Sequence, residues 1–545
     1  MVIVSLQDNP PKQLLLSIIP LNSLHHFELR CSCLILTQRQ DIHLITPPSS
    51  SKAIEAALSQ NPCLTSLPLP KPDILAPEGL SQNTGTAEIL RLPEVQAAIT
   101  GDFLVLPCDL VCEVAGELLL EAWMIEQSGL GGAAVGSIDY LGPKMGLGGE
   151  KDGRRGGLGV WFQTKGEGSV KGEETDFVIT TSLPQPTVPP PEGSARSHMS
   201  EVLFATTTDT LRDITEERKG FPIRHGLIRK HGKIRMLATH RDAHAYFFPH
   251  WVLDFVKRNE KFDSISEDVV GWWAKAGWQN SLPNKLGASD IFDRQDDPTG
   301  GEVGSNPSDS IEDEVDLISL STTYTSSLHI KPSTSSSTTS QALADSDRPS
   351  EKSKTQFPPM LAYVHPSTSP TPLIRRVDTP ALLLSTSLYI AAQRPTDPNA
   401  PSTPYSHHSP YGTPTSIAPQ TTVTNSDCLL GPNTTVETHA VIKATVVGAN
   451  CHIKKGARLT RCLLMDDVVI GEKAQLTGCI IGKRARVEGA CILGECQVQP
   501  RFVVDEGTEA KGEVFMISGL DDLGDEEMAE ADGEVLDGDN EISLV

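Results

Sequence analysis

Aliphatic residues recur along residues 430–504 at every sixth position, with one step in three shortened to five. Three such steps make a period of seventeen residues. This repeat is typical of a parallel β-helix, in which each coil has three short strands and each strand points one aliphatic side chain inward. We therefore predict a β-helix over 426–517, with inward positions at Leu430, Val436, Ile442, Val447, Ile453, Leu459, Leu464, Ile470, Leu476, Ile481, Val487, Leu493, Val498 and Val504.

Upstream of the repeat, residues 1–295 alternate between short apolar runs and segments with helical spacing. The run "DIHLITPP" precedes the helical pattern "SKAIEAAL", and "DFLVLPCDLV" precedes "AGELLLEAWMIEQSG". "AAVGSIDYL" predicts another strand, the residues around His231–Gly232 predict a hairpin turn, and "HAYFFPHWVLDFVKRN" predicts a strand that runs into a helix. Strands that alternate with helices indicate an α/β domain with a mostly parallel sheet, whose ligands bind beyond the carboxyl ends of the strands.

Four further segments differ from these two domains in composition. Residues 296–356 are rich in Ser, Thr and Asp, and residues 395–425 are rich in Pro, Ser and Thr. Such segments bury too little apolar surface to offset their ordering entropy, so we predict a disordered insertion and a linker. Residues 357–394 contain "PMLAYVHP" and "PALLLSTSLYIAAQ" and are predicted to form a short ordered segment joining the two domains. Residues 518–545 are predicted to be a disordered acidic tail.

The net charge of -24 argues against direct binding to nucleic acid, whose phosphates attract basic proteins. No apolar run reaches the length that spans a bilayer. The amino-terminal stretch is interrupted by Asp8, Asn9 and two prolines and lacks the pattern of a secretory signal. We expect a cytosolic protein with reduced cysteines and no membrane partner.

Small side chains lie two residues before many of the inward aliphatics. They are Cys428, Cys462, Cys479 and Cys496 in one series, and Ala440, Ala457, Ala474 and Cys491 in another. We predict that they fill the corners of a narrow triangular core. The competing interpretation, a zinc site, needs compact ligands at CxxC-like spacing, which these cysteines lack. Stacked cysteines could approach the distance of a disulfide, but a reducing compartment favours free thiols.

Two histidines, His439 and His452, also lie in the repeat. Hexapeptide acyltransferases use a histidine between coils, so an acyltransferase is one interpretation. Both histidines fall at positions that we expect to face outward, which favours surface histidines.

Several segments together resemble the sugar-nucleotide pyrophosphorylase family and the two pyrophosphorylase-like subunits, gamma and epsilon, of eukaryotic translation initiation factor 2B. They are "NTGTAEILR" (Asn83–Arg91), "DFLVLPCDLV" (Asp102–Val111), "RDAHAYFFPHWVLDFV" (Arg241–Val256) and "CLLMDDVVIGEKAQLTGCIIG" (Cys462–Gly482). The resemblance implies a nucleotidyltransferase-like, Rossmann-like α/β domain followed by a left-handed parallel β-helix. It covers most of the chain outside the linkers and the tail.

The resemblance assigns candidate nucleotide-site residues. Gly85, Thr86 and Ala87 match the family's Gly-Thr-Ala loop, Asp109 matches the aspartate that follows a strand, and Lys12 in "NPPKQLLL" matches a remnant of a Pro-Lys-Pro element. The chain has no glycine before Gly79, so the glycine-rich loop that cradles the triphosphate in active members is missing. We therefore expect a vestigial nucleotide site, with no catalytic residue, no cofactor and no metal.

An active nucleotidyltransferase of the mannose-1-phosphate guanylyltransferase type is the alternative. It requires that the missing first strand and loop reflect an incorrect start in the gene model, and the first forty residues do fit the fold poorly. A restored start would support an enzyme only if it supplied the glycine-rich, arginine-containing loop.

Of the gamma and epsilon types, the gamma type is the better match. The resemblance implies a long helical exchange domain after the coils in the epsilon type, and this sequence shows no such pattern there. The resemblance then implies a non-catalytic subunit of the guanine-nucleotide exchange complex. It would pair with an epsilon-type subunit and other subunits of initiation factor 2B, and would help bind initiation factor 2, the substrate G protein. Basic residues on successive coils are either solvated corners or a docking face for an acidic partner: Lys454, Lys455, Arg458, Arg461, Lys483, Arg484 and Arg486.

Overall fold

The structure is a computed structural model that describes residues 2–6, 42–60, 72–81, 84–127, 155–165, 169–184, 190, 193–221, 223–279, 281–293, 357–367, 372–393, 411–412 and 415–516. An N-terminal mixed α/β region is followed by a C-terminal parallel β-solenoid. The predicted strand "AAVGSIDYL", the insertion 296–356 and the tail 518–545 lie outside the described residues.

A nine-stranded sheet, in the order β3-β2-β1-β4-β9-β6-β10-β8-β7, organises the N-terminal region. Its strands are β1 Val2–Leu6, β2 Ile42–Ile45, β3 Asp73–Leu75, β4 Asp102–Leu106, β6 Gly157–Gln163, β7 Asp176–Ser182, β8 Met199–Thr207, β9 Arg235–Phe248 and β10 Met360–Val364. A small separate sheet pairs β5 Leu110–Cys112 with β11 Ile374–Arg376 in antiparallel orientation.

The prediction of a mostly parallel, Rossmann-like sheet is wrong. The neighbours β2–β3 and β6–β10 are parallel, whereas the other neighbouring pairs of the nine-stranded sheet are antiparallel. The reason is visible in the connections. Among the described residues between β7 and β8, the helical element is a 3-10 turn at Ala195–His198, and antiparallel pairing allows such short returns.

The helices of the N-terminal region lie on the faces of this sheet. They are Pro48–Gln60, Thr86–Arg91, Pro93–Ala98, Gly116–Gln127, Thr208–Arg218, His225–Lys230, Trp251–Arg258, Gly271–Ala276, Leu282–Lys285 and Ala288–Asp293, with a π-helical turn at Ile265–Val270. The helices predicted after residue 48 and after residue 115 are confirmed, as is the strand that runs into a helix near residue 250. None of the helices in the described ranges has the length and apolar character that crossing a bilayer requires.

The predicted hairpin at His231–Gly232 is also wrong. The segment before the turn is the helix His225–Lys230, and β9 begins only at Arg235. The helix buries Leu227 against Phe177, Ile179 and Leu203. It therefore buries a single apolar side chain, where a strand would have buried every second one.

Two apolar cores lie on opposite faces of the sheet, and alternating residues of β4 separate them. Phe103 and Val105 belong to one core, and Leu104 and Leu106 belong to the other. This alternation is the pattern of a strand buried on both faces, and it explains why "DFLVL" has no polar position after Asp102.

The C-terminal solenoid consists of short strands arranged in three six-stranded parallel sheets. We call them the first sheet (β12, β15, β18, β21, β24, β27), the second sheet (β13, β16, β19, β22, β25, β28) and the third sheet (β14, β17, β20, β23, β26, β29). The strand bounds are β12 Ser416–Ile417, β13 Thr422–Val423, β14 Leu429–Leu430, β15 Thr435–Val436, β16 Val441–Lys443, β17 Val446–Val447, β18 His452–Ile453, β19 Arg458–Thr460, β20 Leu463–Leu464, β21 Val469–Ile470, β22 Gln475–Thr477, β23 Ile480–Ile481, β24 Arg486–Val487, β25 Ile492–Gly494, β26 Gln497–Val498, β27 Val503–Val504, β28 Glu509–Lys511 and β29 Val514–Phe515.

The inward aliphatics predicted from the seventeen-residue period are confirmed. All fourteen are at most 4% exposed, and residues seventeen apart, such as Ile453 and Ile470, pair in register. Each contributes roughly 1.5–3 kcal/mol of gross burial energy, most of which chain entropy cancels. The corner cysteines and alanines are buried as predicted, and the described cysteines are free thiols.

From β14 to β29, every corner of the described coils has one residue in the left-handed backbone region. Four of these corner residues are glycines, and the others carry side chains: Asn433, His439, Ala444, Asn450, Arg461, Asp467, Lys473, Arg484, Ala490, Glu495 and Arg501, with φ between 44° and 64°. Since this conformation costs an L-residue about 1–2 kcal/mol, stacking of the coils must hold these corners in place.

The helix Pro380–Ala392, which we call the linker helix, lies between the α/β region and the solenoid. Its Ile390 belongs to one core of the nine-stranded sheet, and the adjacent Ala391 packs with Val446 and Leu463 on the outer face of the third sheet. Thr379 caps the helix by accepting a hydrogen bond from the Leu382 amide at 3.3 Å. The helix is largely apolar apart from Ser385, Thr386 and Ser387, as is expected of a helix covered on both faces.

Candidate functional site

The Gly85-Thr86-Ala87 loop opens the helix Thr86–Arg91, as the resemblance implies. The amide of Ala87 donates to the carbonyl oxygen of Asp263 at 2.8 Å, and the hydroxyl of Thr86 accepts from the amide of Ile265 at 2.9 Å. A Cβ on Gly85 would lie 1.9 Å from Oδ1 and 2.4 Å from the carbonyl oxygen of Asp263. The segment at residues 263–265 therefore packs directly on this helix end and binds the Ala87 amide.

Asp109 lies between β4 and β5. Its Oδ2 accepts from Arg376 on β11, with Nη2 at 2.8 Å and Nε at 3.1 Å, and its carbonyl oxygen accepts from the Val377 amide at 2.8 Å. Burial would lower the pKa of Arg376, but the charge of Asp109 and its hydrogen bond raise this pKa above its ordinary value. A divalent cation at Asp109 would have to compete with a guanidinium that is already bound.

The structure gives these sequence-predicted residues different partners. Gly85, Thr86 and Ala87 meet the segment at residues 263–265, whereas Asp109 meets β11. Lys12, the remaining candidate, lies outside the described residues. Their assignment to a vestigial nucleotide site stays a prediction.

A buried network of charged groups on β9 was not predicted from the sequence. The amide of Asp242 donates to Asp176 Oδ2 at 2.6 Å, the amide of His244 donates to Asp242 Oδ1 at 2.8 Å, and the hydroxyl of Tyr246 donates to Asp242 Oδ2. His244 has a φ of 52° and lies in a bulge of β9 between Asp242 and Tyr246, which both pair with β6. The signal was present as polar residues at every second position of an apolar strand, in "DAHAY".

Burial dominates the protonation of this network. It raises the pKa of Asp242 to about 6, and together with the charge of Asp242 it raises the pKa of Asp176 to about 6. Burial, followed by the charge of Arg376, lowers the pKa of His244 to about 4. At neutral pH the imidazole is therefore uncharged, and it lies among ionised groups.

Arginines tie the network to β11 and to the segment before β7. Arg375 Nη1 lies 3.3 Å from Glu173 Oε2, Arg241 binds Asp378 with two nitrogens, and Arg241 Nη1 lies 3.9 Å from Glu173 Oε1. Burial raises the pKa of Glu173, although both arginines act in the opposite direction. Because its carboxylates are held by arginines and backbone amides, the network joins β7, β9 and β11 into one structural unit.

The solenoid histidines face outward, as predicted. His439 is exposed at a corner. His452 donates from Nε2 to Glu437 Oε1 at 2.9 Å, and its Nδ1 shares a hydrogen bond with Thr435 Oγ1 at 2.5 Å. Within the described ranges, no cluster of three or more His, Cys, Asp or Glu side chains is arranged to hold a metal ion.

The solenoid defines the class of the C-terminal region as a hexapeptide-repeat β-helix protein. Residues 407–510 match the family model of the EIF2B subunit epsilon LbH domain. A stretch of 62 residues is 32% identical to the translation initiation factor eIF2B subunit gamma of Schizosaccharomyces pombe, and it covers 11% of this chain and 14% of that protein. The C-terminal region is therefore similar to the left-handed β-helix domains of eIF2B subunits, and the chain shares a short stretch of sequence with the gamma subunit.

Two solved structures are similar to part of this chain, with low TM-scores. The acetyltransferase domain of PglB from Neisseria gonorrhoeae, in complex with acetyl coenzyme A, is 18% identical with a TM-score of 0.15, and the match covers 19% of this chain and 52% of that chain. A hexapeptide transferase family protein from Anaplasma phagocytophilum is 18% identical with a TM-score of 0.14, covering 18% of this chain and 68% of that chain. Scores of this size carry no conclusion about activity.

Proposed function

We propose that this chain is a non-catalytic, gamma-like subunit of the eIF2B exchange complex in the cytosol. It pairs with an epsilon-type subunit and with other eIF2B subunits, and it helps to bind initiation factor 2 so that GDP is exchanged for GTP. The observation that carries the proposal is the match of residues 407–510 to an eIF2B β-helix domain.

Two contacts in the α/β region support a role without bond-making chemistry. Arg376 binds the Oδ2 atom of the Asp109 carboxylate, and the carbonyl of Asp263 binds the amide of Ala87. In a pyrophosphorylase-like enzyme, the corresponding groups would have to be free to face a nucleotide and its metal ion. Nucleotidyl transfer depends mainly on electrostatic stabilisation of the departing pyrophosphate. The Ala87 amide could donate to a phosphate only by leaving the Asp263 carbonyl, and Asp109 could hold a metal ion only in competition with Arg376.

The chain then acts through its surfaces. The solenoid is a stiff element whose inward positions are filled, and the linker helix packs on it and on the core of the α/β region. A subunit of this kind holds a catalytic partner in a fixed position relative to the substrate G protein. We propose that residues 1–295 keep a nucleotidyltransferase-like ancestry but have no turnover.

Affinity purification of the full chain from its own cells tests the proposal. We expect an epsilon-type subunit in equal amount, together with further eIF2B subunits. A reconstituted complex should release labelled GDP from initiation factor 2 faster with this chain than without it. Recovery of the chain without any eIF2B subunit would contradict the proposal.

A second assay tests the absence of turnover. We expect no pyrophosphate release from GTP and mannose 1-phosphate in the presence of magnesium, and no rise in melting temperature with GTP and magnesium. Turnover at about 1 per second or more, in the range of ordinary enzymes, would establish the sugar-nucleotide pyrophosphorylase instead.

A further inference from the structure

Charge is distributed unevenly along the solenoid. Residues 438–465 contain no Asp or Glu, and they carry five cations: Lys443, Lys454, Lys455, Arg458 and Arg461. By contrast, residues 488–513 contain six carboxylates and only two cations, Arg501 and Lys511. Residues 438–465 are therefore a basic segment in a chain whose net charge is -24, and the last coils are acidic.

The five cations lie on one side of the solenoid. Arg458 begins β19 of the second sheet, Lys454 and Lys455 form the corner before it, and Arg461 forms the corner after it. Lys443 ends the neighbouring strand β16, and its carbonyl accepts from the Arg461 amide at 3.1 Å. We call this group the basic face.

The charges of the basic face lack partners within the part of the chain that the structure describes. None of its five cations forms an ion pair there, and all except the half-buried Lys454 are exposed. Glu437, a nearby carboxylate, is bound to His452 and to the Lys455 amide. Five like charges within two or three coils repel one another, so an anionic partner is strongly favoured at this face.

The chain itself carries such a partner. From Leu520 to Val545 it has eleven Asp or Glu residues and no Lys or Arg. The described residues end at Met516 in the last coil, about three coil spacings of 4.8 Å from β19. The 29 residues after Met516 span up to about 100 Å when extended, which is ample for this distance. The acidic last coils repel the tail and leave the basic face as its favoured contact.

We propose that the acidic tail, residues 520–545, docks on the basic face of its own solenoid and covers it against other anionic partners. The contact is electrostatic and intramolecular. It follows from the fold and charges alone and does not depend on the proposed function.

Zero-length carbodiimide cross-linking of the full chain at low salt, read by mass spectrometry, tests the proposal. Lys454 and Lys455 are the reporters. We expect their amide links to tail carboxylates to exceed those of Lys511, although Lys511 lies much closer to the tail in sequence. The links should fall at least fivefold in 0.5 M salt, because screening shortens the reach of surface charges.

Matched variants locate the contact. The double substitution Arg458→Glu and Arg461→Glu leaves both reporter lysines in place and should lower their links to the tail about tenfold. The control, Arg484→Glu and Arg486→Glu, makes the same change of charge on later coils and should leave the links unchanged. Equal effects of the two variants, or a preference for Lys511, would overturn the proposal.

Mixing isotopically labelled and unlabelled chains separates tail contacts within one chain from tail contacts between copies. Cross-links that form mainly between copies would also overturn the proposal.

Discussion

The guanidinium of Arg376 binds the carboxylate of Asp109, with both Nη2 and Nε within 3.1 Å of the same oxygen. The two side chains are only 16% and 17% exposed. The ion pair connects the small β5–β11 sheet across 267 residues of sequence. It places a positive charge against the carboxylate of Asp109, our candidate residue for a nucleotide site.

Replacement of Asp109 by Asn should destabilise the α/β region. The variant leaves the buried guanidinium without its charged partner, and breaking a largely buried pair costs about 2–4 kcal/mol. Calorimetry of the full chain should show a transition lowered by roughly 5–10 °C. Asp290→Asn is the control, because Asp290 binds Arg258 at the same 2.8 Å but is 71% exposed, and it should change stability by less than about 1 kcal/mol. Equal shifts in both variants would contradict the structural role of Asp109.

Gly85 should be required for packing. An added Cβ would meet both the side chain and the carbonyl of Asp263, so Gly85→Ala must displace the backbone at residues 263–265. We expect a loss of about 2 kcal/mol or more in the free energy of unfolding. Gly79→Ala, with nothing within 4 Å of its Cβ, should be close to neutral in the same denaturation experiment. A neutral Gly85→Ala variant would show that the contact with Asp263 is dispensable.

His244 should produce a pH-dependent loss of stability in acid. Its pKa is lowered to about 4 in the folded protein and is about 6.5 when unfolded, so the unfolded state binds more protons between these values. Stability from this residue therefore rises with pH from 4 to 6.5 and falls as the solution is acidified, by about 3 kcal/mol in all. Asp176 and Asp242, with raised pKa values of about 6, act with the opposite sign in an overlapping window.

The His244→Asn variant isolates this contribution. Asn tolerates the left-handed backbone and does not titrate, so the difference in stability between wild type and variant should change by about 3 kcal/mol between pH 7 and pH 4. His439→Asn is the matched control, since His439 has a φ of 61° but is exposed at a solenoid corner. Melting temperatures measured across this range would contradict the prediction if both variants gave the same pH profile.

Ala490→Gly should stabilise the solenoid. Ala490 has a φ of 55° and is exposed, so glycine relieves backbone strain without opening a cavity. The gain should be about 0.5–1 kcal/mol after the added entropy of the unfolded chain is subtracted. Ala457→Gly, at a fully buried position that is not in the left-handed region, should lower stability by about 1 kcal/mol in the same denaturation series.

The solenoid could be predicted almost residue by residue, because its period alone determines which side chain points inward. Ile417 and Val423 fall outside this period, because Val423 lies seven residues before Leu430 and each of the two pairs with a residue nineteen positions further on. Their strands nevertheless join the same sheets before residue 426. The outer face of the third sheet could also have been anticipated. Its strands pair two aliphatics, as in Leu463–Leu464 and Ile480–Ile481, which a solvated face would not require.

Strand orientation in the α/β region could not be predicted from local pattern. β9 pairs with β4, β6 and β7, all distant in sequence, and an apolar run looks the same in either direction. The partners of the candidate site depend on such long-range pairings. Arg376 reaches Asp109, and Asp263 reaches Ala87, only after residues far apart in sequence are brought together.

The two-sided burial of the linker helix limits how this protein can be divided into fragments. In a fragment that starts after residue 393, Val446 and Leu463 would be exposed to solvent, together with the neighbouring Leu429 and Ile480. A fragment ending there would instead expose Leu383, Leu384 and Leu388. Either fragment would expose a contiguous aliphatic patch. The recombinant fragments should therefore self-associate even when each of them folds correctly.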